Sequence, residues 1–458
     1  MQMEVVHLGV ALVSAGLCIV LLSSCSRRRR ANEPPGPWQL PVIGSLHHLV
    51  GQLPHRAMRD LARRHGPVML LRLGEVPTLV VSSREGAREV MKTQDLAFAT
   101  RPLSATMRVL TNGGRDIVYA PYGDYWRQLR KIAVSELVSA SRVLSFRAIR
   151  EEEVAAMLHD VAAAAAAGRP VELHTRLSAL VTDIRVRVVM GDNRFKEGDA
   201  FLRTLDRSWK IAAGFNPPDL WPSSRLGGPW AAPRSATIPG TASSTPSSKR
   251  DLRGWCKDLL TVGSEATILE WAIAELIKNP EVMQKATVEV RRAFEACATK
   301  IKDLVIRETL RLHTPTPLLV PRECREPCQV LGYDVPQGTQ VLVNAWALAR
   351  DKQYWPDAPD EFHPERFEGE ATAVDFRGTD FSFLPFGAGR RMCPGIAFSL
   401  ADIELALTSL LFHFDWEGPP PDELDMTEEF GITVRRKAGL LLRPVLWVPL
   451  PGVSNGDA

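Results

Sequence analysis

The sequence predicts a mainly α-helical protein with small β-sheets, preceded by one transmembrane helix near the N-terminus. The chain has 458 residues, of which 45% are hydrophobic and 24% are charged, so it can bury a large core. Helical periodicity prevails along the body, and short β-branched segments stand near its front. A predominantly apolar run close to the first residue is long enough to cross a bilayer.

Charge and cysteine content exclude two classes of protein. Lys and Arg number 56 against 53 Asp and Glu, a net charge of +3, which is far from the dense basic surface of a nucleic-acid-binding protein. We therefore expect no nucleic-acid partner. The seven cysteines are odd in number and sparse, so the chain is not a disulfide scaffold and has room for a single specialised thiol.

The first thirty residues are predicted to be a retained membrane anchor. Residues 5–22 are apolar except for His7 and Ser14, a length that suits a transmembrane helix. A cleaved signal peptide carries positive charge before its apolar run, whereas here four arginines at 27–30 follow it. Because basic residues stay on the cytoplasmic side, the body is expected in the cytoplasm. The competing interpretation is a buried core helix.

Residues 31–53 are predicted to form a proline-rich hinge between the anchor and a body that spans residues 54–458. Four prolines lie within residues 34–44, and they fix the backbone and remove hydrogen-bond donors. Within the body, residues 227–248 lack apolar periodicity and are rich in Gly, Pro, Ser and Thr. That composition predicts a flexible surface loop.

The body is predicted to begin with a helix at residues 54–66, followed by strands at residues 68–73 and 77–82. Residues 141–167 are helix-rich and end at Gly168 and Pro170, which stop helices. Periodicity predicts four more helices, at residues 264–278, 280–297, 301–313 and 396–412.

The most informative segment is FLPFGAGRRMCPG, residues 383–395. Its glycines let the backbone bend tightly and approach a flat ligand. Cys393 precedes a helix that has Pro394 in its first turn, where backbone donors and the helix dipole favour a thiolate. A thiolate there is a metal ligand or a nucleophile. An isolated cysteine is more often a small buried hydrophobe, but the glycines and the pair Arg390 and Arg391 oppose that interpretation.

Two further residue pairs have helical spacing. Glu308 and Arg311 are three apart and share a helix face, as an ordinary solvent-exposed ion pair would. Trp126 and Arg130 are four apart, which suits an indole and a guanidinium that converge on an anion.

Cys324 and Cys328 are also four residues apart, but no second ligand pair at suitable spacing supports a zinc site. We expect these two to be surface thiols.

The string FGAGRRMCPG resembles the haem-binding loop of the cytochrome P450 family, and most closely that of its plant microsomal members. Glu308 and Arg311 in RETLRLH resemble the Glu-x-x-Arg pair of the family. FHPERF at residues 362–367 resembles its PERF segment, and WRQLRK at residues 126–131 resembles its helix C signature. The resemblance runs from the anchor to about residue 226 and again from about residue 263.

The resemblance implies the cytochrome P450 fold and heme b as cofactor, with Cys393 as the axial ligand of the iron. Arg366 is implied to join Glu308 and Arg311 in a buried network that braces the Cys393 loop. The resemblance places further residues around the haem or its propionates: Arg101, Trp126, Arg130, Arg322, Phe386, Gly389, Arg391 and Gly395.

The implied reaction inserts one oxygen atom from O2 into a small hydrophobic plant metabolite, such as a terpenoid or an indole. The electrons are implied to come from NADPH through NADPH-cytochrome P450 reductase. Arg127 and Lys131 are candidates for the surface that faces this reductase, although a solvated face is an equal alternative. A single-pass location in the endoplasmic reticulum membrane is implied, with the catalytic domain in the cytoplasm.

In the family, an acid and alcohol pair in a long central helix activates oxygen. In VGSEATILEW, residues 262–271, Glu265 matches the acid and Ala266 occupies the threonine position. Glu265 and Thr267 are therefore the predicted catalytic residues. Plant relatives typically carry two more residues before LEW, and a helix turns by about 100° per residue, so their loss rotates one half by about 200°.

Two other regions look short against the family. Residues 227–248 stand where relatives have paired helices that roof the substrate pocket, and residues 298–304 abbreviate the connection into the Glu308 helix. These departures motivate two alternatives. One is a catalytically impaired haem-binding protein from a truncated gene. The other is an isomerase or dehydratase that needs no reductase.

Overall fold

The computed structural model describes residues 32–191, 215–224, 264–293, 301–368 and 374–450. Within these ranges the chain is mostly helical and carries four small sheets, which confirms the predicted mainly α class with small β-sheets. The predicted anchor at residues 1–30 and the predicted loop at residues 227–248 lie outside the described residues.

Helices of eight residues or more form the bulk of the body. In chain order they are α1 (Pro54–His65), α2 (Asp124–Glu136), α3 (Arg147–Ala166), α4 (Leu173–Met190), α5 (Glu265–Lys278), α6 (Pro280–Ala293), α7 (Ile301–Leu312) and α8 (Ile396–His413). Shorter helical turns lie at Arg84–Arg88, Ala105–Leu110, Ala140–Ser145, Pro217–Leu220 and Ala345–Leu348, and 3-10 turns at Leu46–His48, Pro364–Phe367 and Gly389–Arg391. All six helical regions predicted from periodicity are present in the described residues.

The helix ends follow local chemistry. Helix α1 has Pro54 at its first position, where the missing N–H costs nothing, and it ends at Gly66, whose φ of 108° breaks the helix. Helix α3 ends in a run of alanines, which favour helix, and the chain leaves the helical conformation at Gly168, whose φ is 61°.

The main sheet has four strands in the order β1-β2-β7-β4: β1 (Val68–Leu73), β2 (Val76–Val81), β7 (Gln340–Val343) and β4 (Arg322–Glu323). β1 and β2 form an antiparallel hairpin, β2 runs parallel to β7, and β7 runs antiparallel to β4. Three smaller sheets contain β3 (Val171–Glu172) with β11 (Leu441–Leu446) and β8 (Phe414–Glu417), β5 (Cys328–Val330) with β6 (Tyr333–Val335), and β9 (Glu428–Glu429) with β10 (Arg435–Arg436).

The proline-rich segment runs along the outer edge of the main sheet. The Leu70 N–H donates to the Pro35 carbonyl at 2.7 Å, and the Ser45 N–H donates to the Arg72 carbonyl at 2.6 Å. Gly36 is required by this approach, because a Cβ there would lie 2.1 Å from the Leu70 oxygen. The segment is therefore part of the folded body from residue 34 onward.

The main core surrounds helix α5, which packs against α4, α7 and α8. All of its residues from Glu265 to Leu276 are buried, so both faces of the helix contact protein. Among the described residues, one helix, α8, is long and apolar enough to cross a membrane. Its residues Phe398, Ala406 and Leu410 belong to the main core, so α8 is an internal helix of the body.

The expectation that Cys324 is a surface thiol is wrong. Its side chain is fully buried between β4 and the β5–β6 hairpin, in a core cluster with Val330 and Val335, whereas Cys328 is partly exposed. Short strands of two or three residues give no alternation from which the buried face can be predicted.

A buried carboxylate ties β9 to helix α1. Glu428 accepts hydrogen bonds from His55 at 3.2 Å and from Arg56 at 2.9 Å. Burial by itself raises the pKa of Glu428, but the hydrogen bond from His55 and the charge of Arg56 outweigh burial and lower the pKa to about 2. A depressed carboxyl pKa adds stability above the unfolded pKa, and that stability disappears as the pH falls toward 2.

We therefore expect Glu428→Gln to lower the free energy of unfolding at pH 7 by about 2 to 3 kcal/mol, a deficit that shrinks below about pH 4.5. Urea denaturation at pH 7 and pH 3 measures both values. Glu429→Gln is the matched control, because Glu429 is the neighbouring residue on β9 and its pair with Arg435 of β10 is more exposed. We expect this variant to lose less than about 1 kcal/mol. Equal losses for the two variants, or a deficit that does not depend on pH, would contradict the assignment.

Candidate active site

The Cys393 loop depends on two glycines with positive φ. Gly387 and Gly389 have φ values of 68° and 69°, and a Cβ on Gly389 would lie 2.1 Å from the Met91 carbonyl oxygen. The loop then closes through a 3.0 Å hydrogen bond from the Cys393 N–H to the Phe386 carbonyl. The sequence therefore places the sulfur at the entrance of α8, whose N-cap is Gly395.

The Cys393 thiol does not have the lowered pKa that a helix terminus alone predicts. The Gly395 N–H hydrogen bond and the charges of Arg130 and Arg185 lower the pKa, but burial and the charge of Glu265 outweigh them and raise it. Desolvation is thus a larger effect on this thiol than the helix terminus. A coordinating metal cation removes the thiol proton outright, so the same sulfur suits a metal ligand.

Four arginines converge beside the loop from separate parts of the chain. Arg101, Arg322 and Arg391 are each at most 8% exposed, and Arg130 on α2 lies next to them. Burial lowers the pKa of all four guanidinium groups, and the charges of neighbouring arginines lower the pKa of Arg101 and Arg391 further, the latter to about 9. Buried charge of one sign is costly unless it is paired.

Backbone carbonyls supply most of the acceptors in this arginine cluster. Arg391 donates to Ala99 at 2.6 Å, Arg322 donates to Ala388 at 2.8 Å, and Arg130 donates to Met392 at 2.7 Å. Arg101 donates to the carbonyls of Val320 and Pro321.

Among the described residues, two carboxylates interact electrostatically with the arginine cluster, Asp95 and Asp116. The Nε of Arg101 has no hydrogen-bond partner there. Four guanidinium groups beside two carboxylates leave excess positive charge, so the cluster suits a ligand with two further carboxylates. Asp95 and Asp116 were missed by the sequence reasoning, since no spacing motif connects them to Cys393.

Trp126 lies at the edge of this cluster, with the Arg391 guanidinium 4.2 Å above its ring and that of Arg130 at 5.4 Å. Its indole N–H donates to the Ile117 carbonyl at 2.9 Å. The predicted pair on α2 is therefore brought to the Cys393 loop, with Arg130 in direct contact with it.

Glu308, Arg311 and Arg366 meet in one buried network. Arg311 donates to the two Glu308 oxygens at 2.8 and 2.7 Å, and Arg366 donates to Glu308 at 2.9 Å. Glu308 and Arg311 are fully buried, which excludes the solvent-exposed ion pair. Arg311 also donates to the carbonyls of Ala349 and Pro359, so the network fixes the segment that precedes the PERF turn.

Aromatic packing connects this network to the Cys393 loop. The Arg311 guanidinium lies 5.3 Å from the Trp355 ring, and Trp355 packs edge-on against Phe383 at 6.0 Å. Phe376 contacts both Phe383 and Phe386, at 6.3 and 5.6 Å. The network therefore reaches the loop through packed rings rather than by a direct hydrogen bond.

Glu265 and Thr267 lie in the first turn of α5, and both are buried. Glu265 accepts hydrogen bonds from Arg185 of α4 and from the Ser399 hydroxyl of α8, the latter at 2.6 Å. Asp402, one turn further along α8, is raised in pKa to about 8, mainly by burial and also by the charge of Glu265. Arg185, Ser399 and Asp402 were not predicted from the sequence.

A groove of about 490 Å³ runs along the outer face of α2. Its walls include Arg127, Arg130 and Lys131, together with Trp126 and Val134. Arg130 thus lies between this groove and the Cys393 loop.

Comparison with known proteins places these motifs in one family. The family model described as Cytochrome P450 matches residues 34–224 and 241–443. Zealexin A1 synthase of Zea mays is 42% identical, with 96% of this chain and 98% of the relative aligned. Dolabradiene monooxygenase of Zea mays is 43% identical, over 96% of this chain and 98% of the relative. Ent-cassadiene hydroxylase of Oryza sativa subsp. japonica is 43% identical, over 95% and 96%.

The alignments extend over 497, 498 and 505 positions, more than the 458 residues of this chain. The relatives therefore carry residues that this chain lacks. The family match is interrupted between residues 224 and 241, a gap that overlaps the predicted loop at residues 227–248.

We expect Glu308→Gln to destabilise the protein by about 3 to 5 kcal/mol, because it leaves Arg311 and Arg366 buried without their carboxylate. Urea denaturation monitored by circular dichroism measures the loss. Asp303→Asn is the matched control on the same helix, since the Asp303 carboxylate is 46% exposed in its pair with Arg307 and should contribute less than about 1 kcal/mol. A loss for Glu308→Gln no larger than that of the control would contradict a buried, fully paired network.

Proposed function

Because the chain belongs to the cytochrome P450 family, we propose that it inserts one oxygen atom from O2 into a small hydrophobic plant metabolite. Membership of the family identifies the chain as an oxidoreductase of the monooxygenase class with a haem-thiolate cofactor. The observation that carries the proposal is the position of Cys393, half-buried at the entrance of α8 beside a cluster of arginines with excess positive charge.

In this proposal Cys393 would bind the iron of heme b through its sulfur, and Arg101, Arg322, Arg391 and Arg130 would hold its two propionates. The orphaned Arg101 Nε supports this assignment, since a propionate gives it the acceptor that it lacks. Trp126 packs beside these groups, and Phe386, Gly389 and Gly395 shape the loop around the sulfur. Thiolate donation to haem iron favours cleavage of the dioxygen bond.

The network of Glu308, Arg311 and Arg366 is proposed to hold the Cys393 loop in position while the haem binds. Their hydrogen bonds fix the segment around Pro359. The Trp355 ring near this segment packs against Phe383, and this contact holds the start of the loop in position.

Glu265 and Thr267 are proposed to handle the protons that oxygen activation consumes. Glu265 is held by Arg185 and Ser399, so the carboxylate stays fixed and can accept a proton at the oxygen that faces the Ser399 hydroxyl. Thr267 lies two residues further along the same buried turn and is the proposed hydroxyl partner, because Ala266 carries no hydroxyl group.

The proposed substrate class is a hydrophobic terpenoid, indole or similar metabolite. Two of the relatives are named for the oxidation of dienes, a dolabradiene monooxygenase and an ent-cassadiene hydroxylase, which supports a hydrocarbon-like substrate. Electrons are proposed to come from NADPH through NADPH-cytochrome P450 reductase, which would dock on the cationic groove of α2. Residues 1–30 are proposed to anchor the chain in the endoplasmic reticulum membrane, with the body in the cytoplasm.

The ligand assignment is tested by the carbon monoxide difference spectrum of the reduced protein. The native chain should give the band typical of a thiolate ligand, and Cys393→Ala should abolish it. Cys328→Ser is the control and should keep the band. Absence of the band from the native, haem-supplied protein would refute the monooxygenase and support an impaired product of a truncated gene. Persistence of the band in Cys393→Ala would refute the ligand.

The proton-handling proposal is tested by the ratio of NADPH consumed to product formed. Glu265→Gln should raise that ratio several-fold while the thiolate band remains, because the glutamine holds its position but accepts no proton. Glu270→Gln is the matched control on the same helix. Glu270 is equally buried and binds His174 at 2.8 Å, so its loss should affect stability and leave the ratio unchanged. An unchanged ratio in Glu265→Gln would overturn the catalytic role.

A further inference from the structure

Cys324 and Cys328 form a close pair of thiols that the proposed reaction does not use. Their sulfur atoms are 3.7 Å apart. Cys324 is fully buried, whereas Cys328 is partly exposed, so reagents in solvent reach the pair from the side of Cys328.

The backbone holds both cysteines in place. The Cys324 N–H donates to the Thr339 carbonyl at 2.9 Å, and the Gly338 N–H donates to the Cys324 carbonyl at 2.8 Å. Cys328 is paired with Val335 across the β5–β6 hairpin. The nearness of the two sulfurs therefore results from the sheet framework rather than from free loop motion.

The surroundings of the pair favour reaction between its two sulfurs over metal binding. A zinc site needs three or four protein ligands, and no group of three or more His, Cys, Asp or Glu side chains that could hold a metal ion occurs in the parts of the chain that the structure describes. The mutual hydrogen bond lowers the pKa of Cys324 and raises that of Cys328. The pair therefore loses its first proton more readily than an isolated thiol.

We propose that Cys324 and Cys328 are an oxidative modification site that closes to a disulfide when the protein meets hydrogen peroxide. The proton shared by the two sulfurs passes to Cys324, and the exposed Cys328 sulfur takes one oxygen from the peroxide and becomes a sulfenic acid, while one water leaves. The Cys324 sulfur then attacks the Cys328 sulfur, and the oxygen departs with a proton as a second water. Two thiols and one peroxide thus give one disulfide and two waters.

The geometry suits this closure. The sulfurs must approach from 3.7 Å to about 2.05 Å, and only the three-residue connection 325–327 joins the two cysteines. The new bond would tie β4 to the β5–β6 hairpin. Because Arg322 on β4 donates to Ala388 of the Cys393 loop, the modification site adjoins the haem site without including it.

Tryptic mapping tests the proposal directly, because Arg325 lies between the two cysteines. Trypsin places Cys324 in the peptide 323–325 and Cys328 in the peptide 326–350, while the other five cysteines fall in other peptides. The reduced holoenzyme is treated with hydrogen peroxide, blocked with N-ethylmaleimide and digested without reductant. We expect the two peptides joined, lighter by two hydrogen atoms than their sum and separated by dithiothreitol, while the Cys393 thiolate band is retained.

Two variants and one probe complete the test. Cys328→Ser should leave Cys324 unoxidised, because no exposed sulfur remains, and Cys324→Ser should leave Cys328 as a sulfenic acid that dimedone traps. Phenylarsine oxide, which bridges neighbouring thiols, should bind the reduced native protein at this pair and lose at least tenfold in affinity for the site in either variant. Oxidation of Cys328 to a sulfinic acid with Cys324 left as a thiol, or no reaction at either residue, would overturn the proposal. Because Cys328→Ser changes a partly exposed residue, the test does not depend on the folding of Cys324→Ser.

Discussion

Excess positive charge beside a half-buried sulfur is the constraint on which the Cys393 site depends. Arg101, Arg322 and Arg391 come from distant parts of the chain, and all three point their guanidinium groups at backbone carbonyls next to one glycine-rich loop. Such an arrangement is expensive unless the fold holds it and an anion completes it. A cofactor with two carboxylates would neutralise the excess charge and give the Arg101 Nε a hydrogen-bond acceptor. Its metal would remove the thiol proton despite the raised pKa of Cys393.

The Glu308, Arg311 and Arg366 network differs from the arginine cluster, because its buried charges are paired with one another. In the Glu308 network, Arg311 and Arg366 both bind the carboxylate. Their remaining N–H groups donate to backbone carbonyls of the segment before the PERF turn. One buried network is therefore satisfied within the protein, whereas the cluster beside Cys393 is left for a ligand to satisfy. The Trp355 and Phe383 rings connect the two regions by packing alone.

Local patterns were predictable from the sequence, and pairings across the chain were not. Helical spacing placed Glu308 with Arg311 and Trp126 with Arg130 on shared faces, and glycine spacing identified the loop before Cys393. The depth of burial was beyond such patterns. For that reason the patterns predict Cys324 at the surface, whereas the β5–β6 hairpin covers it, and they give no measure of the desolvation that raises the pKa of the Cys393 thiol. Asp95, Asp116 and Ser399 belong to the site through tertiary contacts that have no signature along the chain.

The buried acid at the start of α5 is fully paired within the protein. Glu265 is the first residue of the helix, so its carboxylate points into the region between α4 and α8, where Arg185 and Ser399 bind it. Because Ser399 lies on the helix that begins just after Cys393, the same carboxylate that is proposed to handle protons also fixes α8. Its negative charge raises the pKa of the thiol and of Asp402. The proposed proton handling, the position of α8 and the ionisation of the sulfur are thus coupled through one side chain.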